Sequence, residues 1–168
     1  IPESFGDLVN IYYLFLNNNL LSGKIPRSLG KCRDLNKLDL SYNKLTGSIP
    51  PEMGIRGIGI FLNLSHNQLE GHIPIELSKL ENVQEIDLSS NQLGGIIFVQ
   101  ISSCIALQTI NLSNNFLEGQ LPESLGELWS LKVLDVAWNK LSGRIPSSLN
   151  KTSTLTFLNL SFNNFDGR

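Results

Sequence analysis

The chain has 168 residues, 41% hydrophobic and 17% charged, with a formal net charge of −2. That balance describes one folded domain spanning 1–168 and excludes a disordered tail; the lack of any basic block excludes a nucleic-acid partner. No apolar run nears the ~20 residues of a membrane span, and the opening Ile1-Pro2-Glu3-Ser4 has neither the charged head nor the apolar stretch of a signal peptide.

Taken in chain order, the predicted elements are one element set repeated. Asn recurs at 19, 43, 67, 91, 115, 139 and 163 with a step of 24, and a Gly follows each by four residues, from Gly23 to Gly167. Ile-Pro pairs begin at 1, 25, 49, 73 and 145, with Leu121-Pro122 and Ile97-Phe98 as variants in the same phase. Before each Asn stand apolar pairs two apart: Leu14/Leu16, Leu38/Leu40, Leu62/Leu64, Ile86/Leu88, Ile110/Leu112, Leu134/Val136 and Leu158/Leu160. Period-two alternation predicts a short strand with one buried face. One unit cannot bury that face alone, so the seven units must stack, each strand pairing with the next. Each Asn should turn inward and satisfy backbone groups in the turn, forming a ladder of Asn19, Asn43, Asn67, Asn91, Asn115, Asn139 and Asn163. Gly four residues on permits angles closed to other residues, and Pro after Ile favours an extended entry to the outer side. The third unit departs. Arg56 and Gly59 stand where apolar residues belong, with Ile55 and Ile58 one place earlier, which predicts a local register shift of its outer segment with the strand intact.

Cys32 and Cys104 share one phase, three units apart. At strand spacing that is roughly 14 Å, beyond the ~7 Å Cα separation a disulfide tolerates. Both are expected to be buried free thiols, with no disulfide.

The recurring polar positions are the places where chemistry could reside. Asp39, Asp87 and Asp135 form a column interrupted by Asn63 and Asn111. Carboxylates ~10 Å apart on an open sheet enclose no catalytic site. His66 and His72 fall on different sides of one unit with no third ligand beside them. No catalytic residue, metal or cofactor is therefore expected. Sequons do occur, at Asn63, Asn111, Asn150 and Asn159. Asn150 stands outside the strand phase and is the strongest acceptor of the four.

Side chains alternating with the buried leucines should line the open face. Buried positions repeat closely from unit to unit, whereas these vary, as a recognition surface on a rigid scaffold does. The candidates for ligand binding are Tyr13, Phe15, Lys37, Tyr42 and Phe61 toward the start, Glu85 midway, and Val133, Trp138, Phe157 and Phe162 toward the end.

The motif L-x-x-L-x-L-x-x-N-x-L-x-G-x-I-P resembles the plant-specific class of leucine-rich repeats over the whole chain. Leu62-Asn63-Leu64-Ser65-His66-Asn67, Ser103-Cys104-Ile105-Ala106-Leu107 and Leu158-Asn159-Leu160-Ser161-Phe162-Asn163 are similar to membrane-proximal repeats of plant receptor kinase ectodomains. The resemblance implies an α/β repeat solenoid, a right-handed coil with a parallel concave sheet, short 3-10 or helical outer segments, a second lateral strand and a twisted superhelix. Paired-cysteine caps usual in that class are missing, so the chain reads as a solenoid fragment. The function implied is recognition of a peptide or protein ligand on the concave face, with a co-receptor ectodomain near the second aromatic group. The setting implied is the extracellular face of the plasma membrane, with membrane attachment through other parts of the chain. A secreted inhibitor of a pathogen enzyme, similar to polygalacturonase inhibitors, is the alternative. An ice-binding solenoid ranks last, because it needs a flat array of identical small residues.

Overall fold

The computed structural model describes residues 1–55 and 58–167. Each unit runs strand, turn, second strand, outer turn of helix. The chain therefore carries β1 (Tyr13–Phe15), β2 (Ser22–Lys24), β3 (Lys37–Asp39), β4 (Lys44–Gly47), β5 (Phe61–Asn63), β6 (Gln68–His72) and β7 (Glu85–Asp87). It continues with β8 (Gln92–Gly95), β9 (Thr109–Asn111), β10 (Phe116–Gly119), β11 (Val133–Asp135), β12 (Lys140–Arg144), β13 (Phe157–Asn159) and β14 (Asn164–Asp166). Odd-numbered strands form one seven-stranded parallel sheet and even-numbered strands a second, so the lateral strand is present in every unit. Apart from the third unit, the outer segments are short 3-10 turns such as Arg27–Lys31 and Ile75–Lys79, most entered through an extended Pro.

The first sheet pairs without slip. Tyr13, Lys37, Phe61, Glu85, Thr109, Val133 and Phe157 face one another in sequence, each 24 residues from the next. In the second sheet the partners are 22 residues apart, Ser22 with Lys44 and Ser142 with Asn164. Successive lateral strands are thus staggered by two residues, about 6.6 Å at strand rise.

The asparagines join the sheets. In the fourth unit the Asn91 Oδ1 accepts the Leu69 N–H at 3.0 Å, while its Nδ2 donates to the carbonyls of Leu64, Leu88 and Ser89 at 3.0, 3.1 and 3.2 Å. The same four bonds recur at Asn43, Asn67, Asn115, Asn139 and Asn163, each amide reaching back one unit. One side chain thereby satisfies the Leu69 N–H and the Leu64 and Leu88 carbonyls, and adds a second donor to the Ser89 carbonyl, which already accepts the His66 N–H at 2.9 Å. A group that both donates and accepts is needed, and an amide supplies it. Around this ladder Leu38, Leu40, Leu62, Leu64, Leu88 and Leu93 are fully buried in one continuous core. Cys32 and Cys104 lie in that core as free thiols. Burial, with Glu81 nearby as a secondary cause, pushes the Cys104 thiol up to about 11, so it stays protonated and unreactive.

The third unit shows the expected shift where it is described. Ile58 is buried, while Gly59, one place on, is only half-buried and replaces the side chain that Leu35 and Val83 supply elsewhere. A Cβ at Gly59 would stand 2.5 Å from the Asn36 Nδ2. The outer segment here is a short α-helical turn, Glu52–Ile55, and β5 keeps its register with both neighbours. The Arg56 part of that expectation lies outside the described residues.

Candidate ligand-recognition face

The first six strands of the first sheet bury their middle residue and turn the flanking two outward, whereas in β13 the middle residue, Leu158, is 43% exposed. All ten sequence-predicted binding residues lie on this outward face or the turn that follows it. Tyr13, Phe15, Tyr42, Trp138, Phe157 and Phe162 are each about half exposed or more. Lys37, Phe61, Glu85 and Val133 are partly covered by their neighbours in the column.

The turn column has a feature the sequence did not announce. Asn18, Tyr42, His66, Ser90, Asn114, Trp138 and Phe162, each immediately before a ladder Asn, all adopt φ between 52° and 56°. This left-handed conformation costs a residue with a Cβ roughly 1–2 kcal/mol. It is needed to swing the following Asn into the core, and it throws the side chain outward. Stacking follows where two such side chains are flat. Tyr42 and His66 lie 4.0 Å apart at 13°, Trp138 and Phe162 3.7 Å apart at 12°. The first aromatic group adds a Tyr13–Phe15 stack at 6.1 Å and the Lys37 Nζ 5.6 Å from the Tyr13 ring. Beside it Phe15, Asn17, Lys37, Asp39 and Phe61 line an open depression of about 260 Å³. His66, absent from the predicted set, was recoverable from its phase.

Between the aromatic groups runs the polar column. The Oδ1 of Asp39 accepts the Ser41 N–H at 2.9 Å and the Ser41 hydroxyl at 2.6 Å. Asn63, Asp87, Asn111 and Asn159 do the same with Ser65, Ser89, Ser113 and Ser161, and Asp135 with the Ala137 N–H alone. These are Asx turns, signalled by Asp or Asn two residues before Ser. The second carboxylate oxygen is left on the open face. Asn111 donates to the Asp87 Oδ2 at 3.5 Å and Asn159 to the Asp135 Oδ2 at 3.2 Å. Burial pushes the Glu85 carboxyl above its ordinary range, and Asp87 and Asp39 add to the shift. The ion pair found among the described residues, Arg27 with Glu52 at 3.8 Å, is on the outer side and neutralises none of these acids.

The sequons divide accordingly. Asn63, Asn111 and Asn159 hold their amide oxygens in the Asx turns, with their own sequon serines as donors. Asn150 is exposed on the outer turn Ser147–Lys151. No group of three or more His, Cys, Asp or Glu is placed to hold a metal among the described residues.

Comparison with known proteins agrees with this geometry. The family model described as Leucine Rich Repeat matches residues 60–80, 82–104, 106–128 and 130–152, and two further leucine-rich-repeat models match 2–45 and 152–168. Curated proteins give no match. Among solved structures, the chain is similar to the ectodomain of the Arabidopsis receptor kinase HAESA in complex with an N-terminally extended IDA peptide hormone. Identity is 38% and TM-score 0.95 over 99% of this chain and 28% of that one. It is similar to HAESA in complex with IDA and the co-receptor SERK1 at 31% identity and TM-score 0.79, over 98% of this chain and 32% of that one. A plant ice-binding protein matches at 27% identity and TM-score 0.73, over 99% of this chain and 69% of that one. The chain thus spans about a third or less of these two HAESA chains. With repeat models covering most of its length and receptor ectodomains superimposing on nearly all of it, the chain belongs to the leucine-rich-repeat family, in its plant receptor-like branch.

Proposed function

We propose that this chain is the extracellular ligand-binding segment of a plant receptor, which captures a peptide or protein on the outward face of the first sheet and engages a co-receptor ectodomain near its last units. The observation that carries the reading is the arrangement of that face. Two largely aromatic groups, Tyr13/Phe15/Tyr42 with the partly covered Phe61 and Trp138/Phe157/Phe162 with the partly covered Val133, flank an acidic stretch on a scaffold whose buried side is uniform. Exposed aromatics at such density are anchors in recognition sites. The peptide complex of the HAESA ectodomain supports the ligand class, and its complex with SERK1 supports the co-receptor. In this reading the segment acts by binding: carboxylates tied into Asx turns on an open sheet have no enclosed space in which to act. Of the four sequons, Asn150 carries the glycan in this reading, on the side away from the ligand.

An ice-binding role has the similarity to the plant ice-binding protein in its favour. Against it, the outward columns mix Lys37, Phe61, Glu85 and Trp138, which present no flat repeating array. The experiment is a binding screen of the purified protein against plant peptides and co-receptor ectodomains. Trp138→Ala and Phe61→Ala should each weaken a bound partner at least tenfold, the loss typical of a buried aromatic anchor. Binding unchanged by both substitutions would refute the assignment of the face.

A further inference from the structure

The proposed reading leaves the chemistry of the ligand open, and the face itself constrains it. The outward columns of the first sheet and the turn after it hold four acids, Asp39, Glu85, Asp87 and Asp135, against the single lysine Lys37. The Asx turns occupy one oxygen of each Asp and hold its carboxylate at a set place. The second oxygen of Asp87 and of Asp135 also accepts from Asn111 and Asn159, at 3.5 and 3.2 Å, and keeps capacity for a further donor. Because the sheet pairs without slip, Asp39 lies opposite Asn63, Asn63 opposite Asp87, Asp87 opposite Asn111, and Asn111 opposite Asp135. Carboxylates therefore fall on alternate strands, about 9.6 Å apart at a strand spacing of about 4.8 Å. Aromatic side chains bound this row at both ends.

A segment crossing the strands must place its side chains at that interval. In a polyproline-II helix every third side chain returns to the same side, about 9.3 Å on at about 3.1 Å per residue. A β-strand would turn its third residue to the opposite side. Polyproline-II segments also dock on aromatic-lined grooves at low entropic cost. We propose that the face takes an extended cationic peptide of polyproline-II form, with Lys or Arg at every third residue on Asp39, Asp87 and Asp135 and apolar residues on the aromatic groups. This rests on the reading of the sheet face as a peptide site. The charge of the face selects a cationic occupant, and the pairing register sets its spacing.

The test pans a random octapeptide library on the purified protein, with Trp138→Ala as the control for binding at this face. Selected peptides should carry Lys or Arg three residues apart. A synthetic peptide from that set should lose at least tenfold in affinity when the cation spacing is changed to two or four, and should weaken as salt is raised. The triple variant D39N/D87N/D135N should abolish the preference for cations while melting within ~2 °C of the parent, since Asn already makes the same turn at Asn63, Asn111 and Asn159. It is prepared in a host without N-glycosylation, because D39N and D87N create sequons with Ser41 and Ser89. Peptides that bind, depend on Trp138 and show no cation spacing would overturn this inference and leave the peptide site standing. Recovery of no peptide weakened by Trp138→Ala would overturn both.

Discussion

The two sides of the first sheet share the same strands and the same register, yet they are built under opposite rules. On the inner side the ladder Asn91 makes four hydrogen bonds to backbone atoms and its leucine neighbours are sealed from solvent. On the outer side Trp138 is 56% exposed, touches its neighbour Phe162, and shares its column with residues as different as Ser90 and His66. Uniformity inside makes the coils equal in length, and equal coils turn matching phase into physical adjacency. Variation outside then costs the fold little. The scaffold separates stability from recognition along a boundary one peptide plane thick.

That separation can be broken deliberately. The largest effect should come from Asn91→Ala, which strands the Leu69 N–H in a buried turn and removes a donor from the carbonyls of Leu64 and Leu88, while the Ser89 carbonyl keeps its bond from the His66 N–H. A loss of about 3 kcal/mol is expected, read as a drop in the denaturant midpoint. Gly71→Ala comes next. Its φ of +79° lies in the left-handed region and the nearest atom to an added Cβ is 3.7 Å away, so conformation alone acts, at about 1–2 kcal/mol. In the opposite direction, Ser90→Gly relieves a φ of 55° at a cost of one side-chain hydrogen bond from Asn114. A net gain of about 0.5 kcal/mol by the same measurement would show that the turn column stores strain uniformly.

The smallest effect concerns Glu85, whose folded-state carboxyl is raised above its ordinary 4.5. Its ionised form is therefore disfavoured by folding, a penalty fully present above the raised value and relieved as pH falls through it. Glu85→Gln should stabilise the protein slightly at pH 7, by no more than about 0.5 kcal/mol. The difference should vanish below pH 4.5, and denaturation of both proteins across pH 4 to 7 would check it.

How much of this was legible in the residues follows the same boundary. The 24-residue step of Asn and Gly gave the stacking, the ladder and the buried columns, because a repeated constraint leaves a repeated residue. The outward columns could be placed by phase alone, and the Trp138–Phe162 and Tyr42–His66 stacks are consequences of that phase. The left-handed turn was not legible, since Tyr42, Trp138 and Phe162 carry no preference for it; the ladder Asn and the sheet impose the conformation. Nor was the two-residue slip of the lateral sheet, which no local residue marks. The Asp/Asn column is visible in the sequence, but phase alone reads as well for a catalytic or glycan position. Its Ser partner two residues on was the overlooked sign of an Asx turn.

The central claim is that this sheet divides cleanly into a side that folds and a side that binds, and Trp138→Ala tests it most directly. Paired thermal melting and peptide-binding curves of the parent and the variant should show melting within ~2 °C and affinity reduced at least tenfold. A variant that melts far lower, or that binds as the parent does, would contradict the division.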